Sequence, residues 1–284
     1  MSQQLRQLKS RIRSVEGTWK VTRAMEMVSM AKFKSVVVAL TMARAYFRKL
    51  ETLFAHLFAA GVDETHPYFK PRAKGAIGVV VITADTGLCG IYTDAVLRQA
   101  DKIIAAHKGE EIKVYVYGRK GQAHFRKIGI PVHKFFPGVH GRVQTMFHRE
   151  ILDAVTADYD QHLLKEVHVC YTVFKTPVKH EPTAEKFLNF EFKKPGGNEN
   201  FAIESGSRGI LADIVPVYLS HRLRLMMLES FVSEHSARMV SMKSAKDNAK
   251  ELMGDLVLLR NKMRQAMITK EVIEIISSAE ALKG

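Results

Sequence analysis

The stretch Met242-Lys243-Ser244-Ala245-Lys246-Asp247-Asn248-Ala249-Lys250-Glu251-Leu252-Met253-Gly254-Asp255-Leu256-Val257-Leu258-Leu259-Arg260-Asn261-Lys262-Met263-Arg264-Gln265-Ala266 decides the fold. Its apolar residues Met242, Ala245, Ala249, Leu252, Leu256, Leu259, Met263 and Ala266 step alternately by three and four. An average step of 3.5 is the seam of a coiled coil, narrower than the apolar stripe of a helix in a compact domain. Helix-compatible sequence extends on both sides, from about Gly209 to Leu282. A helix of roughly 70 residues would run ~105 Å at 1.5 Å per residue, longer than a domain of this size is wide. Such a helix needs a partner along its length.

The first sixty residues supply one. Leu5, Leu8, Ile12, Val15 and Trp19 step by three and four, the phase slips around Thr22 to Phe33, and the pattern resumes at Val36, Leu40, Ala43, Phe47, Leu50, Phe54 and Leu57. No proline precedes Pro67, and Gly17 is the only glycine before Gly61, so helix breakers are scarce. Two periodic segments at opposite ends of one chain pack most simply as an antiparallel pair, with everything between them folded at one end. The competing arrangement is two amphipathic helices inside an ordinary bundle. It is disfavoured because helices beyond 25 residues are rare in compact domains.

The middle reads as a small α/β domain. Gly78 to Thr83 is a buried-strand run rich in β-branched residues, ending in the turn Ala84-Asp85-Thr86-Gly87-Leu88-Cys89-Gly90. A helix follows from about Thr93 to His107, then a strand over Ile112 to Tyr117 closed by a turn at Gly118-Arg119-Lys120-Gly121. A helix is expected near Gln144 to Tyr159, a strand over Val167 to Phe174, and a last strand over Glu185 to Phe192. Pro195-Gly196-Gly197-Asn198 marks a loop before the terminal helix, in which Pro216 marks an early bend or the true start. The fold class is therefore α/β: a long antiparallel two-helix coiled coil from the two termini with a central Rossmann-like α/β domain at one end. The expected divisions are 1–61, 75–193 and 209–284.

Composition narrows the function classes. No run approaches the ~18 to 20 apolar residues of a membrane span, and the basic start lacks the apolar core of a signal peptide. Cys89 and Cys170 have neither metal-ligand nor redox spacing, which fits free thiols in a reducing compartment. The net charge of +14 is uneven: eleven Lys and Arg face three acids before Gly61. A basic helix calls for an acidic partner, whether nucleic acid, anionic lipid or an acidic protein surface. Zinc-finger spacing, an aromatic RNA-binding signature and a basic region leading into a zipper are all missing from the sequence. A basic coiled-coil nucleic-acid-binding or scaffold protein stands as the alternative reading.

Catalytic chemistry is sparse. Thr86 to Gly90 fits neither G-x-x-x-x-G-K-[ST] nor G-x-G-x-x-G. His133, His140 and His148 lack the spacing that would present a zinc site, and no Ser/His/Asp motif can be assembled. No catalytic, cofactor or metal residue is expected; the sheet reads as a docking platform.

Three motifs carry a family resemblance. Arg11 to Val15, Thr18, Lys20 to Val28 and Ala31-Lys32 form the first. Gly87-Leu88-Cys89-Gly90 is the second. Ser233 to Met242 together with Asn261 to Ile275 forms the third. In this order they resemble the gamma subunit of F-type ATP synthases, over the whole chain. The resemblance implies a non-catalytic central shaft, set in a ring of three alpha and three beta subunits, with the α/β domain beside epsilon and the membrane rotor c-ring. Proton or sodium flow would turn the shaft, and its asymmetry would hold the beta sites in different conformations. It further implies a peripheral place on the cytoplasmic face of the bacterial inner membrane, with no direct span and no nucleic acid bound.

By motif, Arg23 and Met25 match positions facing an acidic loop of beta. Arg238, Arg264, Gln265, Thr269 and Glu271 match positions implicated in shaft-to-ring contact. Solvated charges and a gap-filling Met are the plain readings of Arg23, Arg238 and Met25. Several positions depart from the family pattern. Trp19 stands where a polar residue is usual, Ile91-Tyr92 follows the turn in place of the usual glycine and Asn, and Glu204-Ser205-Gly206 lacks the common Glu-Pro step. Val36-Val37-Val38 is apolar enough to pack on a neighbour. Contact with the rotor ring and epsilon is expected over Phe201 to Tyr218. The redox insertion of chloroplast relatives is absent, which the resemblance links to a bacterial-type subunit.

Overall fold

A computed structural model describes residues 2–59, 66–70, 72–138, 147–189 and 207–281. The elements in order are α1 (Ser2–Ala59), β1 (Ala76–Ile82), α2 (Tyr92–Ala106), β2 (Ile112–Tyr117), α3 (Arg119–Lys127), β3 (Val132–Phe136), α4 (His148–Asp160), β4 (Leu164–Phe174), β5 (His180–Leu188) and α5 (Ser207–Ala281). By packing, residues 29–238 form one compact unit, and residues 1–28 with 239–284 form a second.

In the larger unit one five-stranded sheet runs in the order β3-β2-β1-β4-β5. The first four strands are mutually parallel and β5 is antiparallel to β4. All seven residues of β1 are buried, as expected for a central strand covered on both faces. One face carries Ile77, Val79, Val81, Val114, Val116 and Cys170 under α2 and Phe125 of α3. The other carries Val80, Ile82, Tyr115, Tyr117 and Val169, packed with residues of α1, α4 and α5. There Arg44 pairs with Glu229 and Phe54 stacks on Tyr218 at 4.4 Å, so numbering rises along α1 as it falls along α5. The two helices are antiparallel, and they use the sheet as their third layer.

The expected phase slip in α1 is absent. Positions 5, 12, 19, 26, 33, 40, 47, 54 and 8, 15, 22, 29, 36, 43, 50, 57 are all buried or half-buried, an unbroken heptad. The seam turns polar at Thr22, Glu26 and Ser29, and the apolar count loses it there. Thr22 satisfies its own hydroxyl by donating to the carbonyls of Thr18 and Trp19 at 3.0 Å. Of the valine run, Val36 is buried and Val38 is exposed.

In the smaller unit the α5 seam departs from its expected course. Met242, Ala249 and Leu256 are buried as expected, but Leu252 and Leu259 are 41 % and 48 % exposed. Ala266 is exposed too, and the half-buried second column is Lys246, Met253, Arg260 and Met267. Periodicity cannot choose between two columns one residue apart; the partner helix does. Lys246 reaches Glu26 at 2.7 Å across the pair. Its long apolar stem lets a charged side chain hold a seam position while the head finds a partner.

Other elements also differ from expectation. Gly118-Arg119-Lys120-Gly121 is the start of α3, with Gly118 at φ +94 as the residue before it. A side chain at Gly121 would lie 2.8 Å from both the Thr83 hydroxyl and Val116, so glycine lets α3 lie directly on the sheet. The basic sequence of α3 buries only Gly121 and Phe125, too little for a periodic signal. The short strand β3 also escapes notice because its residues are only partly covered. β5 begins at His180, upstream of the expected Glu185. Pro216 lies inside α5, which starts at Ser207. Phe190 to Phe192, Pro195 to Asn198, Glu204 to Gly206, His140 and the Gln144 helix start lie outside the described residues, as do the first six residues of Phe201 to Tyr218.

Candidate functional site

Two of the three motifs touch each other. The turn after β1 is fixed from within by Asp85, whose Oδ1 accepts the backbone N–H of Arg119 at 3.0 Å and of Gly138 at 3.1 Å. A carboxylate receiving the first free N–H of α3 both caps that helix and complements its dipole. Leu88 and Gly90 then take left-handed φ values of 64 and 57. The carbonyls of Thr86 and Gly87 face α5.

Arg238 meets them there. Its Nε donates to the Gly87 carbonyl at 3.1 Å, and one terminal nitrogen donates to the Thr86 carbonyl at 3.0 Å. The same nitrogen lies 2.8 Å from the Glu234 carboxylate, one helical turn back, and both side chains are buried. The other terminal nitrogen donates to His235 Nδ1 at 3.3 Å. Arginine can only donate, so Nδ1 is the acceptor and the ring proton sits on Nε2. Burial, with the charges of Arg238 and Lys32, pushes the His235 pKa down to about 3 and keeps the ring neutral. Burial raises the Glu234 pKa, and the Arg238 charge and hydrogen bond oppose it. Ala237 completes the contact by packing on Ala84, Cys89 and Tyr92. The rigid fork of arginine suits this task, since it grips two successive carbonyls and a carboxylate together.

A second polar joint lies further along. Glu229, which the sequence reading missed, accepts Arg44 Nε at 2.7 Å and a terminal nitrogen at 2.8 Å, and also the Phe174 N–H at 2.8 Å. Arg44 donates in addition to the Phe174 carbonyl at 2.7 Å. One ion pair thereby ties α1, α5 and the end of β4. Partners 185 residues apart leave no local signal in a sequence.

The remaining candidates belong to the smaller unit and lie on its surface. Arg23 is exposed, with its guanidinium 5.3 Å from the Trp19 ring centroid, within cation–π range. Met25 is half-buried. Arg264, Gln265, Thr269 and Glu271 are all exposed. At helical spacing Gln265 and Thr269 continue into Val272 and Ile276, and Arg264 and Glu271 share a face with Ile268 and Ile275. From Ile268 to Ala281 every residue is exposed, and Ile268, Val272, Ile273, Ile275 and Ile276 are 48–68 % exposed. A cluster of aliphatic side chains on a helix end is the composition of a contact surface. Among the described residues no helix is long and apolar enough to cross a membrane.

A family model described as ATP synthase matches residues 4–282. The ATP synthase gamma chain of Anaeromyxobacter sp. is 35% identical over 291 residues, covering 98% of this chain and 99% of that one. The same subunit of Heliobacterium modesticaldum is 32% identical over 288 residues, with 98% and 99% covered. The rotor of the Euglena gracilis mitochondrial ATP synthase in rotational state 1 shares the fold at a TM-score of 0.66 and 15% identity, covering 94% of this chain and 100% of that one. In the OSCP/F1/c-ring assembly in rotational state 3 the TM-score is 0.68 at 15% identity, with 99% and 95% covered. With its three motifs in order along one α/β fold, this chain belongs to the ATP synthase gamma-chain family.

Proposed function

We propose that this chain is the central shaft of a rotary F-type ATP synthase. Segments 1–61 and 209–284 would form the shaft within a ring of alpha and beta subunits. Segment 75–193 would form the domain that meets epsilon and the membrane c-ring. The observation that carries this reading is the exposed aliphatic end of α5. Water is a poor solvent for such a surface, and a collar of apolar side chains in a surrounding ring would cover it. The basic excess of α1 suits an acidic ring lining. Arg23, Met25, Arg264, Gln265, Thr269 and Glu271 are the residues assigned to that ring contact. A shaft can bias three catalytic sites only if it touches their conformers with different free energies, and an asymmetric pair of helices does so at each rotational position. The chain itself supplies no catalytic group, and the complex sits peripherally on the cytoplasmic face of the membrane, driven by proton or sodium flow.

Co-expression with the other subunits tests the assignment. The chain is expected to purify in a complex holding three copies each of two nucleotide-binding subunits, and alone to hydrolyse no ATP. Purification without such subunits, or turnover by the pure chain, overturns it. Ile273→Glu with Ile276→Glu leaves the isolated chain folded, because both positions are exposed. It is expected to lower ATP synthesis by the assembled complex at least ~10-fold, since carboxylates would face an apolar collar.

A further inference from the structure

We propose that His107, Glu166 and His168 form a binding site for a zinc-class divalent ion. Glu166 and His168 are two apart on β4 and therefore project from the same face of the sheet. His107, the residue that ends α2, comes over that face from above. Glu166 Oε1 lies 3.2 Å from His107 Nε2 and 3.0 Å from His168 Nε2. The three donor atoms all fall within 4.8 Å of one another. An ion held at ~2.0–2.1 Å in a tetrahedral site needs ligand atoms ~3.3 Å apart, and two of the three edges already match.

The surroundings orient these side chains as ligands. His107 Nδ1 is 2.9 Å from the Ile103 carbonyl. A carbonyl only accepts, so Nδ1 carries a proton and Nε2 is turned to the cluster, the outer-shell arrangement of metal-bound histidines. Lys186 Nζ holds the other carboxylate oxygen of Glu166 at 3.0 Å and fixes the carboxylate plane. The side chains are 22%, 17% and 14% exposed in chain order, which leaves room for water as a further ligand. Two imidazoles and one carboxylate select zinc, copper, nickel or cobalt over magnesium or calcium. The sequence reading expected no metal residue, because the ligands come from two elements and match no local zinc motif.

The test uses the full chain without a histidine tag, titrated calorimetrically with zinc chloride. One ion per chain is expected, with affinity lowered at least ~10-fold in His107→Gln, in His168→Gln and in Glu166→Gln. Circular dichroism checks that each variant is folded. Cobalt(II) is expected to give visible absorption bands that each variant loses. In the unsubstituted chain, zinc is expected to shift the imidazole NMR resonances of His107 and His168 but not those of His124 or His133. No stoichiometric binding, unchanged affinity in the His107→Gln/His168→Gln double variant, or shifts confined to other histidines overturns the proposal. None of these outcomes bears on the shaft assignment, which rests on α5.

Discussion

Arg238→Ala is expected to destabilise the isolated chain by about 3–5 kcal/mol, the usual result of removing one partner from a buried ion pair. The family resemblance implies a ring contact for Arg238, whose loss would impair coupled ATP synthesis more than it alters the fold. Its geometry predicts the reverse for the isolated chain. Arg238 is 5% exposed, and its guanidinium is engaged with Thr86, Gly87, Glu234 and His235. Truncation would leave the buried Glu234 carboxylate and two carbonyls without this donor. The loss should depend on pH with a definite sign. The Glu234 pKa is already raised by burial, and without Arg238 it rises further. A carboxyl whose folded-state pKa lies above its unfolded value binds a proton more tightly when folded, so stability falls as pH rises through that pKa. The deficit of Arg238→Ala should therefore be largest near neutral pH and shrink as the pH falls toward 5. Glu234→Gln added to Arg238→Ala removes the charge that Arg238 balanced and should recover part of the loss at neutral pH. Urea unfolding of the unsubstituted chain, Arg238→Ala and the Arg238→Ala/Glu234→Gln double variant at two pH values measures all of this. An Arg238→Ala chain of unchanged stability would return the residue to the ring surface. Gln265→Ala is the control: exposed on α5, it should alter stability by less than about 0.5 kcal/mol and act only in the assembled complex.

The long helices were legible because a heptad is a local signal repeated many times. Met242, Ala249 and Leu256 were recovered on that basis, and so was the resumed pattern from Val36 to Leu57. Errors arose where a polar residue occupies an inward position. Thr22, Glu26 and Ser29 keep the heptad of α1 by geometry while breaking it by hydropathy. On α5, Leu252 and Leu259 outscore Met253 and Arg260 by hydropathy, yet the partner helix lies on the other flank. The buried central strands were legible from β-branched runs, whereas α3 hides behind surface charge and β3 behind partial exposure. The candidate sites divide in the same way. The Gly87 turn and the Ser233 to Met242 segment were each visible as motifs, but their junction at Arg238 is a contact between residues 151 positions apart. Arg44 with Glu229, and His107 with Glu166, are long-range pairs of the same kind. Sequence periodicity reports which face is buried; it does not report which side chain across the fold satisfies a buried charge.

Arg44→Ala is expected to destabilise the unit formed by residues 29–238 by about 2–3 kcal/mol, less than Arg238→Ala because Arg44 is 36% exposed. Glu229 drives the effect. Its side chain is only 8% exposed, and its carboxylate takes two of its charge-assisted bonds from Arg44 at 2.7 and 2.8 Å. Without them the buried carboxylate of Glu229 keeps the Phe174 N–H. The Phe174 carbonyl loses its Arg44 donor as well. Arg44→Lys separates charge from shape. An ammonium can approach one carboxylate oxygen but cannot span both and the carbonyl, so the lysine variant should recover roughly half of the loss. A cycle with Glu229→Gln isolates the pair. With the charge gone, removing Arg44 should be milder, giving a coupling of about 1–2 kcal/mol between the two sites. Additive losses would mean that the fork contributes no coupling of its own. If the pair couples as expected, Arg44→Ala should also loosen the hold between α1, α5 and β4. Amide exchange at Phe174 is the direct reading, because its N–H is held by Glu229 alone among the described bonds and should exchange faster in Arg44→Ala than in the unsubstituted chain. Unchanged exchange there, alongside a measured loss of stability, would place the effect of Arg44 in helix packing instead of in this joint.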